Sequence, residues 1–172
     1  MKDLTLNHYK HRSDIVKKYR EEVINDILEN DQDPHLLTWY GDNWDKQDYM
    51  CADIVTNSKG ELVSISAAEL SDDGTRLKVF CRLYVIKKQR HYHSINQRLI
   101  IPTYAEIAKN MNINTLWITA HIFNEKIKVS VNTADKKRST TSRKDMPYYD
   151  KMIYEGIITY KNVEQHSFII NI

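Results

Sequence analysis

Residues 76–112, RLKVFCRLYVIKKQRHYHSINQRLIIPTYAEIAKNMN, carry the side chains best placed to meet an anion. Arg82, Lys87, Lys88, Arg90 and Arg98 gather where an alternating strand runs into a turn and the turn into an amphipathic helix; a second strand, NTLWITAHI, follows. That order suits a phosphate-bearing ligand. A helix N-terminus offers unsatisfied N–H groups and the positive end of the helix dipole, and Arg or Lys neutralises the charge. The plainer reading of the same residues is a solvated basic turn. His91 and His93 bracket Tyr92, but two histidines with no carboxylate or thiol close in sequence make a poor metal site, and no metal is expected. Lys136, Lys137, Arg138, Arg143 and Lys144 form a second basic cluster in a hydroxyl-rich stretch, 133–147, read as a loop.

The rest of the composition narrows the function classes. The chain has 172 residues and a 41% apolar content, enough for one folded domain spanning 1–172. A net charge of only +2 argues against strong nucleic-acid binding, which depends on neutralising many phosphates. Cys51 and Cys81 both fall inside expected strands and form no CxxC pair, so they read as small apolar side chains, not as a disulfide or zinc framework. No apolar run approaches the roughly 18 residues that a spanning helix needs. The N-terminus lacks the apolar core of a signal peptide. An intracellular, cytoplasmic protein with no membrane role, or one delivered by something other than secretion, is the expectation.

The elements that must position the turn follow from periodicity. Residues 1–12 are polar and carry no assignment. Ser13 is placed to cap a helix over 13–30, with Ile15, Val16, Tyr19, Val23, Ile24, Ile27 and Leu28 at helical spacing. Residues 31–50 read as a loop with room for one short helical turn, with Pro34, Gly41 and three acidic residues around Trp39, Tyr40 and Trp44. Strands are expected over 49–56, 61–70 and 75–86, joined by the glycine-terminated turns NSKG and SDDG, which make an antiparallel meander. A helix capped by Ser94 should bury Ile95, Leu99, Ile100, Ala108 and Met111. Pro102 within it demands either a kink or a restart with the proline in the first turn. A strand over 114–122 then returns parallel to the third strand. Residues 123–132 fit helix or strand, and 151–172 read as a closing hairpin.

Helix, three antiparallel strands, basic turn, helix, strand and hairpin is an order that resembles the GNAT superfamily of N-acetyltransferases over roughly residues 48–172. The resemblance implies an α/β fold with a mixed, mostly antiparallel sheet, flanking helices and one parallel strand–helix–strand crossover. It also implies acetyl-CoA as cofactor. In that family a strand ends in Val and a turn of pattern R/Q-x-x-G-x-G/A holds the pyrophosphate on its backbone N–H groups. Val85, Arg90, His91, Tyr92, His93, Ser94 and Ile95 fall in that frame. His93 and Ile95 stand where the family has glycine, which lets backbone approach phosphate closely. The Tyr common to many members is replaced by Val131.

Acyl transfer to an amine needs a base for the ammonium and an acid for the leaving thiolate. On the resemblance, Glu69 near the end of the second strand and His121 at the end of the 114–122 strand are the candidate bases, and Tyr149, beside Tyr148, the candidate acid. Each also has an ordinary packing or surface role. The resemblance implies an enzyme acting on a small-molecule or protein amine; the alternative is a catalytically inactive GNAT-fold protein that binds a protein partner. A homo-oligomer through an edge strand is compatible with either. The chain's style also resembles GNAT-like proteins of tailed phages, which implies host cytoplasm or virion as its location.

Overall fold

In a computed structural model, the residues described are 3–9, 17–32, 34–40, 51–92, 95–122, 147–148 and 151–172. In chain order they form β1 (Leu4–Tyr9), α1 (Lys17–Asn30), α2 (Pro34–Tyr40), β2 (Cys51–Asn57), β3 (Leu62–Leu70), β4 (Leu77–Val85), a 3-10 turn (Lys87–Gln89), a π-helical turn (Asn96–Ile100), α3 (Ile101–Asn110), β5 (Thr115–His121), β6 (Met152–Tyr160) and β7 (Val163–Asn171). The strands take the order β1-β2-β3-β4-β5-β7-β6. β1, β2 and β3 pair antiparallel, as do β5, β7 and β6, while β4 and β5 pair in parallel with Leu77 opposite Leu116 and Lys78 opposite Trp117. This is the mixed, mostly antiparallel sheet with one parallel crossover that the sequence led us to expect. Among the described residues no helix is long and apolar enough to cross a membrane.

The chain divides into two compact units. The first comprises Met1–Glu69 with Phe80–His93, the second Leu70–Val79 with Ser94–Ile172. In the first, Val23 and Ile27 of α1, Tyr40 of α2, Ala52 and Ile54 of β2, Leu62, Ile65 and Ala67 of β3, and Tyr84 and Ile86 form one apolar cluster. Val23 and Ile27 lie four residues apart and so share one face. Leu28, expected in that stripe, is half exposed because it sits one helical step past Ile27, at the rim. Two elements go beyond expectation. Residues 34–40 are helical, with Pro34 at the first position, where its missing N–H costs nothing. β1 occupies part of the N-terminal stretch left without an assignment. It is an edge strand whose polar side chains suit one partner and one open side, and His8 Nδ1 lies 2.9 Å from the buried Asp53 carboxylate of β2.

In the second unit Leu77, Val79, Ile100, Ile101, Tyr104, Ala105, Ala108, Leu116, Phe168 and Ile170 are buried. Pro102 resolves as a restart: a π-helical turn ends where Ile101 N–H donates to Asn96 O, and α3 begins with Pro102 in its first turn. Met111, expected in the core, is exposed at the C-terminal end of α3. A polar chain crosses this unit: Arg76 donates to Glu155 at 3.0 Å, Ser167 Oγ donates to Glu155 at 2.8 Å, and the Trp117 indole donates to Ser167 Oγ at 2.9 Å. The Lys78 ammonium stands 3.5 Å from the ring centre of Tyr160 and 5.4 Å from that of Trp117. An ammonium over an aromatic face is attracted by the ring quadrupole, which helps a lysine tolerate burial. Strand β4 therefore buries residues on both faces, and its alternation alone does not separate inside from outside.

The turns behave as their composition requires. Asp73 accepts from Ser71 Oγ, Thr75 N–H and Thr75 Oγ, and these bonds hold its carboxyl down at about 2. Asp73 is thus a turn former, as read from the sequence.

Candidate functional site

The basic turn begins where β4 ends. Gln89 N–H donates to Ile86 O at 2.9 Å, Arg90 N–H to Lys87 O at 3.2 Å and Tyr92 N–H to Gln89 O at 3.0 Å. These N–H groups close the turn on itself. Four of the expected cofactor-binding residues, Val85, Arg90, His91 and Tyr92, come together here. His91 is exposed, its Nδ1 lies 3.1 Å from Lys88 O, and its ring stacks against Tyr92 with centroids 4.3 Å apart. Ile95 is buried at the start of the helical stretch and belongs to the second unit. His93 and Ser94 lie outside the described residues.

Arg90 is committed to the protein's own groups. Its Nε donates to Val85 O at 3.2 Å, one terminal nitrogen to Asp31 Oδ2 at 2.6 Å and the other to Asp31 Oδ1 at 3.4 Å. The Tyr84 hydroxyl sits 2.6 Å from Asp31 Oδ2 and 2.9 Å from Asp26 Oδ2, and Lys87 N–H donates to Asp26 Oδ2 at 2.8 Å. Two carboxylates of the α1 end thus grip the turn through a side-chain cation, a phenol and a backbone amide. The electrostatics follow. The Arg90 hydrogen bond holds the Asp31 carboxyl below its usual range against the opposing effect of burial, and Asp31 in turn raises Arg90. Burial first, then the two carboxylates, push the Tyr84 phenol up.

Beside this grip lies an open groove of about 440 Å³, lined by Glu22, Asp26 and Glu29 of α1, Glu61 before β3, and Lys88. Lys88 and Glu61 approach to 3.6 Å, both well exposed. Asn57 and then Lys88 lower the Glu61 carboxyl.

Of the expected catalytic residues, Glu69 is half-buried at the end of β3 and His121 is exposed at the end of β5. They belong to different units. Tyr149 lies outside the described residues; Tyr148, next to it, accepts a backbone bond from Lys151 N–H at 3.1 Å. The sequence reading missed Asp26 and Asp31. A usable signal was present: α1 ends in NDILEN with no basic residue in its last turn, and Asp31 follows it directly. Acid at the negative end of a helix dipole is unfavourable unless a cation arrives from elsewhere, and the basic turn supplies one.

No protein-family model and no curated protein matches this sequence. Solved structures do match. A GNAT-family protein from Desulfovibrio desulfuricans aligns over 98% of each chain with a TM-score of 0.65 at 6% identity. The chain has the GNAT fold. The fold is shared at this low identity because it rests on patterning and packing, which many sequences satisfy. Two further matches are an acetyltransferase from Salmonella typhimurium that modifies the N-terminal serine of ribosomal protein L7/L12 (TM-score 0.59, 10% identity, 100% of this chain and 96% of that one) and a spermidine/spermine N-acetyltransferase from Vibrio cholerae (TM-score 0.57, 10% identity, 99% and 93%).

Proposed function

We propose that this GNAT-fold chain transfers an acetyl group from acetyl-CoA to an amine. The observation that carries the reading is the β4–basic turn–α3–β5 crossover, set in a fold whose matched structures include acetyltransferases over nearly their whole length. The amine nitrogen attacks the thioester carbonyl, the C–S bond breaks, and the thiolate leaves with a proton. Glu69 or His121 takes the proton from the ammonium, and Tyr149 supplies the one for the thiolate. The turn from Val85 through Arg90, His91, Tyr92, His93, Ser94 and Ile95 holds the cofactor. The acceptor is a small-molecule or protein amine; the matched enzymes act on a polyamine and on a protein N-terminus.

A second reading, a GNAT-fold protein that binds a partner without catalysis, is favoured by one observation. The N–H groups of Gln89, Arg90 and Tyr92 are spent within the turn, and Arg90 is paired with Asp31. Thiol release from acetyl-CoA in the presence of a panel of polyamines and peptide N-termini separates the two. Release that depends on an amine supports transfer. No release with any amine supports the second reading.

A further inference from the structure

We propose that Asp26 and Asp31 are positioning residues for the cofactor turn: they fix it from α1 through Lys87 N–H and Arg90, leaving Lys87 and Lys88 as the cations that meet the cofactor's phosphates. The proposal rests on the acetyl-CoA reading and revises the role that the resemblance gives Arg90.

Arg90 spans from Val85 O to the Asp31 carboxylate, and one of its terminal nitrogens also lies 3.4 Å from the Tyr84 hydroxyl. A guanidinium has five N–H donors in a fixed fork. With Nε on a carbonyl and both terminal nitrogens on one carboxylate, its planar face is set by the protein. Moving it to a phosphate breaks a paired, partly buried charge contact and leaves Asp31 without its partner. Lys87 and Lys88 differ: both side chains are exposed, and the 3.6 Å contact of Lys88 with Glu61 is a surface pair of little cost to exchange. The sequence places His93 and Ile95 where the family has glycine, so the turn needs another source of shape; Asp26 accepting from Lys87 N–H and from Tyr84 provides it.

The test is acetyl-CoA titration of the full chain with a charge swap. Asp31→Arg and Arg90→Asp should each weaken binding by about tenfold, the effect of losing one coupled pair. The double variant should bind more tightly than Arg90→Asp alone, because the pair is restored with its polarity reversed although the Arg90 bond to Val85 O is not. Lys87→Gln and Lys88→Gln should each weaken binding about threefold or more without touching the pair. If Arg90 meets a phosphate, the double variant stays as weak as Arg90→Asp, and the proposal fails. Asp26→Ala, which removes the acceptor, provides a readout that needs no ligand: amide exchange at Lys87 should accelerate while that of the β3 core does not, and unchanged exchange at Lys87 also overturns the proposal. No binding by the wild-type chain overturns the acyl-transfer reading and this proposal with it. Binding by wild type with an unrescued double variant overturns this proposal alone.

Discussion

Tyr84→Phe isolates one hydroxyl in the grip between α1 and the turn. The ring is buried at 4% exposure and packs edge-on against Tyr40 with centroids 6.1 Å apart, so phenylalanine keeps the packing. What is lost is the bond to ionised Asp31 at 2.6 Å and the contact with Asp26 at 2.9 Å. A hydrogen bond to a charged group contributes about 1.5–3 kcal/mol. A phenol has a single proton and can serve only one of the two carboxylates at a time, which places the cost near the low end, about 1.5 kcal/mol. With a urea slope of about 2 kcal/mol per molar for a chain of this size, the unfolding midpoint should fall by about 0.7 M with no change of slope. The pH dependence gives a second check. Asp31 is held below its ordinary value of 3.8, so its contribution is full above that value and is lost as pH falls through the lower folded one. The gap between wild type and Tyr84→Phe should therefore close with acid. An unchanged or raised midpoint at neutral pH would refute the reasoning, because it would mean that the crowding of two carboxylates on one hydroxyl outweighs the bond.

Other consequences follow from the same geometry. Asp31→Asn should lower stability at neutral pH and flatten the acid limb of the stability curve below pH 3.8, measured by urea unfolding across pH; a parallel shift of the whole curve would contradict the Arg90 pairing. Gly156 sits at a β-bulge with φ of 109°, and a Cβ there meets no atom within 4 Å, so Gly156→Ala should cost about 1–3 kcal/mol through backbone strain alone. A loss under about 0.5 kcal/mol would show that the bulge can relax. Ser167→Ala leaves the Trp117 indole N–H without its acceptor and should cost about 1–3 kcal/mol with a shift in tryptophan emission; unchanged emission and stability would count against that bond.

The sheet was legible because its strands alternate and end in turns with known chemistry. Asn57 Oδ1 accepts from Lys59 and Glu61 N–H, and Asp73 from Ser71 and Thr75, as short polar glycine-ended segments predict. The parallel return of β5 followed from one helix between two strands. Helix α2 was legible only as a short helical turn within a loop, because Pro34 reads as a breaker unless it falls in the first turn. β1 was hidden because an edge strand needs little apolar character. Leu28 and Met111 show the limit of periodicity at helix rims and ends. The grip on the turn joins residues 53 to 61 positions apart. Charge balance along α1 hinted at it, but register and distance come only with the fold. Glu69 and His121 do lie near the ends of β3 and β5, where alternation placed them.

The most direct test of the central claim is calorimetric titration of the purified full chain with acetyl-CoA at low salt, with S-acetyl-pantetheine, which lacks the phosphates and the adenosine, as the control. The account predicts saturable binding of acetyl-CoA that weakens as salt rises, and far weaker binding of the control, since on the proposed reading the basic turn meets phosphate. Equal affinity for both ligands, or no heat with acetyl-CoA at all, would contradict it.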